Sequence, residues 1–277
     1  MSIHLTEKES QVTIPVSEPN SITVAGDWHG NSTTATKVLY DAVNNGSRVV
    51  VQLGDFGLWP GRMGKKYITE LDKVATALGA TILWLDGNHE DFGRIRNKGL
   101  LDARLQSYGK SIFRLPRGSR WSWQGIDFCA VGGATSLDKP SRIEGVTWWS
   151  EEELTGPQVA DIAEAGVCDV LFTHDVSHEV NVPGIGHRVY TAKWNAKELE
   201  RAWLHRERLG ELTAKLTPTH LYHGHFHTPY TKISETTFGE TRVTGLGDDT
   251  SGPANWVNIE LNKLRADVDT IRSNRVN

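Results

Sequence analysis

Cysteine is nearly absent. The 277-residue chain has two, Cys129 and Cys168, far apart and in no Cys-x-x-Cys spacing. No zinc knuckle is therefore expected, and each reads as a small buried apolar residue in a strand. Such sparse use fits a reducing compartment, so a cytoplasmic location is expected. Long hydrophobic runs are missing too. No stretch approaches the roughly 20 apolar residues of a membrane span, and Met1–Asn20 is polar, without the apolar core of a secretory signal. A basic excess is also lacking: 30 Lys and Arg face 34 Asp and Glu, a net charge of −4. A long duplex nucleic acid is not an expected partner, because gripping a phosphate backbone needs a basic face. A nucleotide is still admitted, since bound cations reverse the local sign. With no repeat, low-complexity segment or linker, one domain over 1–277 is expected, its core at about 20–261 and a loop-and-helix cap at about 176–210. Nothing in the sequence specifies an oligomeric state.

What is present is an ordinary globular balance, 38% hydrophobic and 23% charged, with ample material for a core. Residues 22–25 read as a strand, 33–45 as a helix, 48–53 as a buried strand, 65–78 as a helix and 81–85 as a strand. That alternation predicts an α/β fold with parallel strands. Short β-like pieces follow at 111–115, 120–123 and 126–131. A helix is expected over 151–165, capped by Ser150 and interrupted by Pro157. A strand at 169–173, a loop over 176–192, a helix at 194–209 and a strand at 219–222 come next. β-Hairpins fill the chain to about Leu261, and the polar remainder reads as a frayed tail. Most of the ten tryptophans, Trp121, Trp123, Trp148 and Trp149 among them, are expected to be packing residues.

Five short blocks each follow a β-like run: Asp27-Trp28-His29-Gly30-Asn31, Gly54-Asp55, Gly87-Asn88-His89-Glu90, Thr173-His174-Asp175 and Gly224-His225-Phe226-His227. In open α/β sheets, ligands bind at the carboxyl ends of strands, so these distant blocks can converge. Asp27 and His29 are two apart, which puts both side chains on one side of an extended segment, and His225 and His227 repeat that spacing. Asp55 has two oxygens and can bridge two cations, Asn88 offers a carbonyl oxygen, and His174 adds an imidazole. This mixture suits manganese, iron or zinc better than calcium or magnesium. Gly26, Gly54, Gly87 and Gly224 precede candidate ligands, where a sharp turn or close approach suits glycine. Glu90 and Asp91 read as helix N-terminal acids or supports of the site, and Asp175 as a support of His174 or a cap. His178, His205, His220 and His223 read mostly as surface histidines.

These blocks resemble the calcineurin-like metallophosphoesterase superfamily, whose pattern runs Asp-x-His, Gly-Asp, Gly-Asn-His-Glu/Asp, a lone His, then Gly-His-x-His. The resemblance covers residues 27–227 and implies a four-layer α/β/β/α sandwich with mixed central sheets. It implies two divalent metal ions, manganese first, with iron, zinc, nickel, cobalt and magnesium as alternatives. Asp27, His29, Asp55 and His227 would hold one, and Asp55, Asn88, His174 and His225 the other. It also implies phosphate-ester hydrolysis by a two-metal activated hydroxide, with His89 contacting the phosphate and protonating the leaving oxygen or stabilising charge there.

The substrate is read from departures. Protein phosphatases of this superfamily carry Asp-Arg-Gly after Gly-Asp and an Arg before Gly-Asn-His-Glu; here Phe56-Gly57-Leu58 and Asp86 stand there. Two phosphate-clamping arginines are missing, which favours a phosphodiester or small nucleotide over a dianionic monoester. The Gly26-Asp27-x-His29-Gly30-Asn31 form, resembling bacterial and phage phosphatases, pulls toward a phosphomonoesterase, protein phosphatase included. A non-catalytic metal-binding scaffold is the distant alternative. Arg62, Arg94, Arg96 and Arg142 are candidate replacements for the clamp. Asn31, Trp28 (stacking on a base), Arg142 and His187 (in a Gly-rich loop) are the candidate substrate contacts.

Overall fold

The structure, a computed structural model, describes residues 11–98, 104–186, 191–237 and 239–276. In the first sheet β1 (Ser21–Ala25), β2 (Val49–Gln52), β3 (Thr81–Trp84) and β5 (Ile112–Arg114) run parallel. β4 (Gln106–Ser107) and β12 (Trp256–Glu260) close its edges antiparallel, giving the order β12-β1-β2-β3-β5-β4. The second sheet has a parallel centre of β7 (Ile126–Val131), β8 (Val170–Thr173), β9 (His220–His223) and β11 (Gly239–Gly245), with β6 (Ser119–Trp123) and β10 (Tyr230–Thr236) as antiparallel edges.

Alternation along the strands sets the layers. Val49 and Val51 of β2 face the second sheet and share a core with Ile22, Val24, Phe128 and Phe172. Val50, between them, points outward and packs with Val38 and Leu39 of α1 (Ser32–Asn44) and Leu71 of α2 (Gly61–Leu78). On the second sheet Cys129, Val131 and Leu171 point outward, against Val159 of α4 (Gly156–Glu164) and Leu209 and Leu212 of α5 (Ala196–Leu216). The result is the expected α/β/β/α sandwich with two mixed sheets. Trp121, Phe128 and Phe172 stack in its middle with centroids 5.4 and 5.8 Å apart, and Trp121, Trp123, Trp148 and Trp149 are buried as expected.

Several local expectations are corrected. The 151–165 helix begins at Gly156, after a short 3₁₀ turn over Ser150–Glu152. Thr155 and Gln158 form a reciprocal capping box, and Pro157 lies in the first turn, where its missing N–H costs nothing. The helix expected to end at 209 continues to Leu216. β12 is no hairpin strand; it pairs antiparallel with β1. The supposed tail is α6 (Leu261–Val276), whose Leu261, Leu264, Val268 and Ile271 recur at helical spacing and are buried. His205, His220 and His223 are buried, not on the surface. Their partners are respectively Asp175 (3.0 Å), Asp267 (3.0 Å) and the Tyr230 hydroxyl (2.7 Å).

No helix of the described residues is long and apolar enough to cross a membrane.

Candidate metal centre

The loops leaving β1, β2, β3, β8 and β9 meet at one end of the sandwich. Hydrogen bonds tie them together before any ligand is considered. Asp55 O accepts from Trp28 N and His29 N at 3.1 and 2.8 Å. The buried Glu90 accepts from Phe56 N (2.6 Å) and Leu58 N (2.8 Å), so it holds the turn after Asp55. Burial and the nearby Asp55 charge push its carboxyl up to about 8. His89 N donates to Asp55 Oδ1 at 2.8 Å. His174 Nδ1 reaches across to Leu53 O at 2.7 Å, leaving Nε2 toward the cleft.

Backbone strain is concentrated here. Among the described non-glycine residues, positive φ occurs at His29 (43°), Asp55 (49°), His225 (65°) and His227 (52°), and elsewhere only at Gln124 and Thr217. Left-handed φ at a bulky residue persists only where surrounding structure enforces it, and such residues cluster at functional sites. The glycines meet the two expected needs separately: of Gly26, Gly54, Gly87 and Gly224 only Gly54 has positive φ. At Gly87 and Gly224 the need is close approach, since a Cβ would strike the Asp55 carboxylate and the Asp27 carboxylate respectively.

Six of the seven candidate ligands come together here. Ligand atoms of Asp27, His29 and His227 lie within 4.8 Å of one another, as do those of Asp27, Asp55 and His174. His227 Nε2 is 3.1 Å from Asp27 Oδ2, His29 Nε2 is 3.4 Å from Asp55 Oδ2, and His174 Nε2 is 3.5 Å from Asp55 Oδ1. Asn88 Oδ1 is 3.2 Å from His174 Nε2. Its amide nitrogen donates to Ser136 Oγ (3.1 Å), which donates to Glu152 (2.7 Å), so the carbonyl is turned inward. His225 stands outside both clusters: its ring centroid is 5.1 Å from that of His174, and its backbone N donates to Asp27 Oδ1. Asp27 belongs to both groups, and Asp55 lies near both His29 and His174.

The electrostatics ask for cations. Burial alone would lower His29, yet the Asp55, Asp27 and Asp249 carboxylates hold it at about 10. Burial likewise opposes, and Asp55 and Asp27 outweigh it, at His174, which stands at about 9. Burial pushes His225, farther from the carboxylates, down to about 4. Protons thus sit where Lewis acids would, and metal binding would displace them. Two mutually close carboxylates, three imidazoles and an oriented amide fit a pair of divalent ions.

His89 lies beside Asp55 at 3.9 Å, and Arg142 Nη2 is 2.9 Å from His89 Nε2. Burial lowers the His89 imidazole; Asp55 opposes this and Arg142 reinforces it. Arg142 also pairs with Asp138 at 2.8 Å. The other clamp candidates lie away: Arg62 is exposed, Arg94 donates to Trp59 O, and Arg96 pairs with Glu151. The Trp28 reading is corrected. Its ring is fully buried, 5.6 Å from Phe56, with Nε1 on Asn255 Oδ1, so it has no face for a base. Asn31 caps α1 and donates to Asp249 at 2.8 Å, which makes it a support of the loops. His187 lies outside the described residues. Asp91 caps α3 (Phe92–Arg96), while Asp175 engages Val176 N and His205, not His174.

Three residues escaped the sequence reading. Asp249 Oδ1 is 3.1 Å from His29 Nδ1, and Asp248 Oδ2 is 3.4 Å from His227 Nδ1. A carboxylate on the far nitrogen fixes the tautomer of a ligating imidazole. The signal was Gly247-Asp248-Asp249 directly after β11, at the same end as the other blocks. Trp194 lines the cleft with its Nε1 buried and unpartnered; the spacing places it as the first residue of a helix, which in the structure starts only at Ala196.

The match to known proteins agrees with this geometry. The family model for calcineurin-like phosphoesterases matches residues 21–229. The chain belongs to that family, whose members are metal-dependent hydrolases of phosphoric esters. No curated protein sequence matches it. Among solved structures, TT1561 of Thermus thermophilus superposes with a TM-score of 0.54 at 12% identity, covering 90% of this chain and 96% of the other. A second solved structure gives 0.56 at 12% identity, covering 88% and 96%. At that identity both show the shared fold alone.

Proposed function

We propose that the chain hydrolyses a phosphate ester at this cleft, with a monoanionic phosphodiester or small nucleotide as the preferred substrate. Two divalent ions, manganese first, held by Asp27, His29, Asp55, Asn88, His174, His225 and His227, would supply an activated water and polarise the phosphoryl oxygen. The chain's own part is done by His89 and Arg142. His89 lies close enough to Asp55 to face a phosphate held above it, and gives a proton to the alcohol oxygen, or stabilises its charge, as its bond to phosphorus breaks. Arg142, packed on that imidazole, grips a non-bridging oxygen.

The observation that carries the charge preference is the Asp138–Arg142 pair. One guanidinium reaches the cleft among the described arginines noted above, and the carboxylate 2.8 Å from it offsets its charge. The positions used by protein phosphatases offer no substitute: Phe56 is buried, and Asp86 binds Arg114 and Arg117 inside the protein. A monoanion suits such a cleft better than a dianion. The cavity at the cleft is about 260 Å³, which suits a small ester.

The test is hydrolysis of a chromogenic phosphodiester and its monoester counterpart by metal-stripped protein with manganese added back. The diester is expected to be the better substrate. His89→Ala should keep the metal, measured by elemental analysis, and lose roughly 10²–10⁴-fold in turnover. Unchanged turnover would remove His89 from the chemistry; a monoester preference would make Arg142 a dianion clamp and the chain a phosphatase.

A further inference from the structure

Behind the metal cleft lies a second cavity of about 320 Å³ that the proposed chemistry does not use. The two spaces share Leu137, Ile185, His225 and Phe226 in their linings, so they lie side by side. Its far wall is one face of α5: Leu199, Ala202, Trp203 and Arg206 fall at helical spacing and line the cavity. Trp203 is 49% exposed, so this apolar face is incompletely covered by the protein's own side chains.

We propose that this cavity is the subsite for an apolar, ring-sized group on the alcohol of the ester. The inference rests on the phosphoesterase reading above and names its substrate class. The polar groups of the cavity decide the chemistry. Asp175 accepts from Val176 N at 2.7 Å and is 3.0 Å from His205 Nδ1. Arg206 gives hydrogen bonds to the carbonyls of Val176, Ser177 and Val180, and its guanidinium lies over the Phe226 ring at 5.4 Å. Among the described residues that line it, the acid and the base are each engaged within the protein, and Thr191 and His225 are the remaining polar side chains, so this part of the wall has little to offer a second phosphate or a polyphosphate tail. Leucine, isoleucine, phenylalanine and tryptophan surfaces favour an aryl or branched alkyl body. The volume lies at the lower end of small-molecule pockets, roughly 300–1,000 Å³, which limits that body to about one or two fused rings.

Two readouts test this. Ala202→Phe fills the cavity from α5, and Trp203→Ala removes one of its walls; circular dichroism checks that both fold. The first readout compares kcat/KM of wild type and variants on methyl 2-naphthyl phosphate and on methyl trifluoroethyl phosphate, so that intrinsic reactivity cancels. Ala202→Phe is expected to lower the naphthyl ester roughly 10–100-fold more than the small ester, the range one buried ring contributes. The second is calorimetric binding of 2-naphthylmethylphosphonate against methylphosphonate to manganese-loaded protein. Wild type should prefer the naphthyl compound, and both variants should lose that preference. Equal effects on both esters with no binding preference would overturn the subsite while leaving the hydrolase reading intact. A binding preference abolished by Ala202→Phe in a protein that hydrolyses neither ester would support the subsite and sink the hydrolase reading.

Discussion

Of the candidate metal ligands, the loops of the first sheet bring Asp27, Asp55, Asn88 and one imidazole, His29, whereas the loops of the second sheet bring only imidazoles, His174, His225 and His227. The difference is partly one of burial: Asp27 is fully buried and Asp55 is 2% exposed, while the His227 side chain is 42% exposed, although His174 of the second sheet is fully buried. It extends to support as well: the first-sheet turn after Asp55 is held by Glu90 and by cross-loop backbone bonds. A buried carboxylate is tolerable only with a partner of opposite charge. The first sheet therefore carries the unmet negative charge that draws cations. The second closes around them with ligands that can be neutral.

The largest effect should come from breaking that division on its charged side. Asp55→Asn keeps the shape and removes the charge that faces His29, His89 and His174. Metal affinity, measured by titration calorimetry, is expected to fall well beyond the roughly 10–100-fold typical of supporting residues, and turnover should fall with it. His227→Ala removes an exposed ligand of the other sheet and should cost less. If the two losses were equal, charge would not distinguish the two sheets.

A smaller effect should sharpen the comparison. Asp249 and Asp248 follow β11 of the second sheet, yet Asp249 holds His29 of the first and Asp248 holds His227 of the second. Asp249→Asn keeps a hydrogen-bonding side chain on Asn31 but weakens the hold on His29. Metal affinity is expected to fall roughly 10–100-fold with the melting temperature of the metal-free protein little changed. A drop in that temperature without a change in affinity would make Asp249 a purely structural residue.

These two effects also mark what was legible. The ligands could be read because each lies in a short block at a strand end, where local spacing and the general geometry of α/β sheets act together. Asp248 and Asp249 offer only a weaker local signal, a Gly-Asp pair just past a strand end, and it is the folding of β11 beside β9 that brings them to His29 and His227. Trp28 shows the reverse error. Its neighbours face the cleft, but a fully buried Nε1 bonded to Asn255, 227 residues away in sequence, is a tertiary fact. Two misread elements did have signals. Thr155 followed three residues later by Gln158 marks a helix start, and the apolar Leu261, Leu264, Val268, Ile271 series marks α6 beneath its polar composition. The packing of Leu199, Ala202 and Trp203 around an open cavity was beyond reach, because periodicity shows a helix face without showing what covers it.

A last effect concerns the support of Asn88 from the second sheet's side. Glu152 accepts from Ser136 N at 2.8 Å and from Ser136 Oγ, with Arg201 at 3.8 Å and Glu153 next to it. Burial raises its carboxyl to about 7 from an ordinary 4.5. The folded state thus holds a proton that the unfolded state has lost between those values. Stability contributed by this group is complete below pH about 4.5, declines as pH rises to about 7, and is flat above. Glu152→Gln cannot titrate. It gives up one acceptor to Ser136, which costs about 1 kcal/mol at any pH. Against wild type the variant should nevertheless gain about 3 kcal/mol between pH 4.5 and roughly pH 8. Denaturant titrations of the metal-free protein at both values measure that difference. A stability gap that is the same at the two pH values would show that Glu152 is ionised in the fold, with Arg201 as its partner.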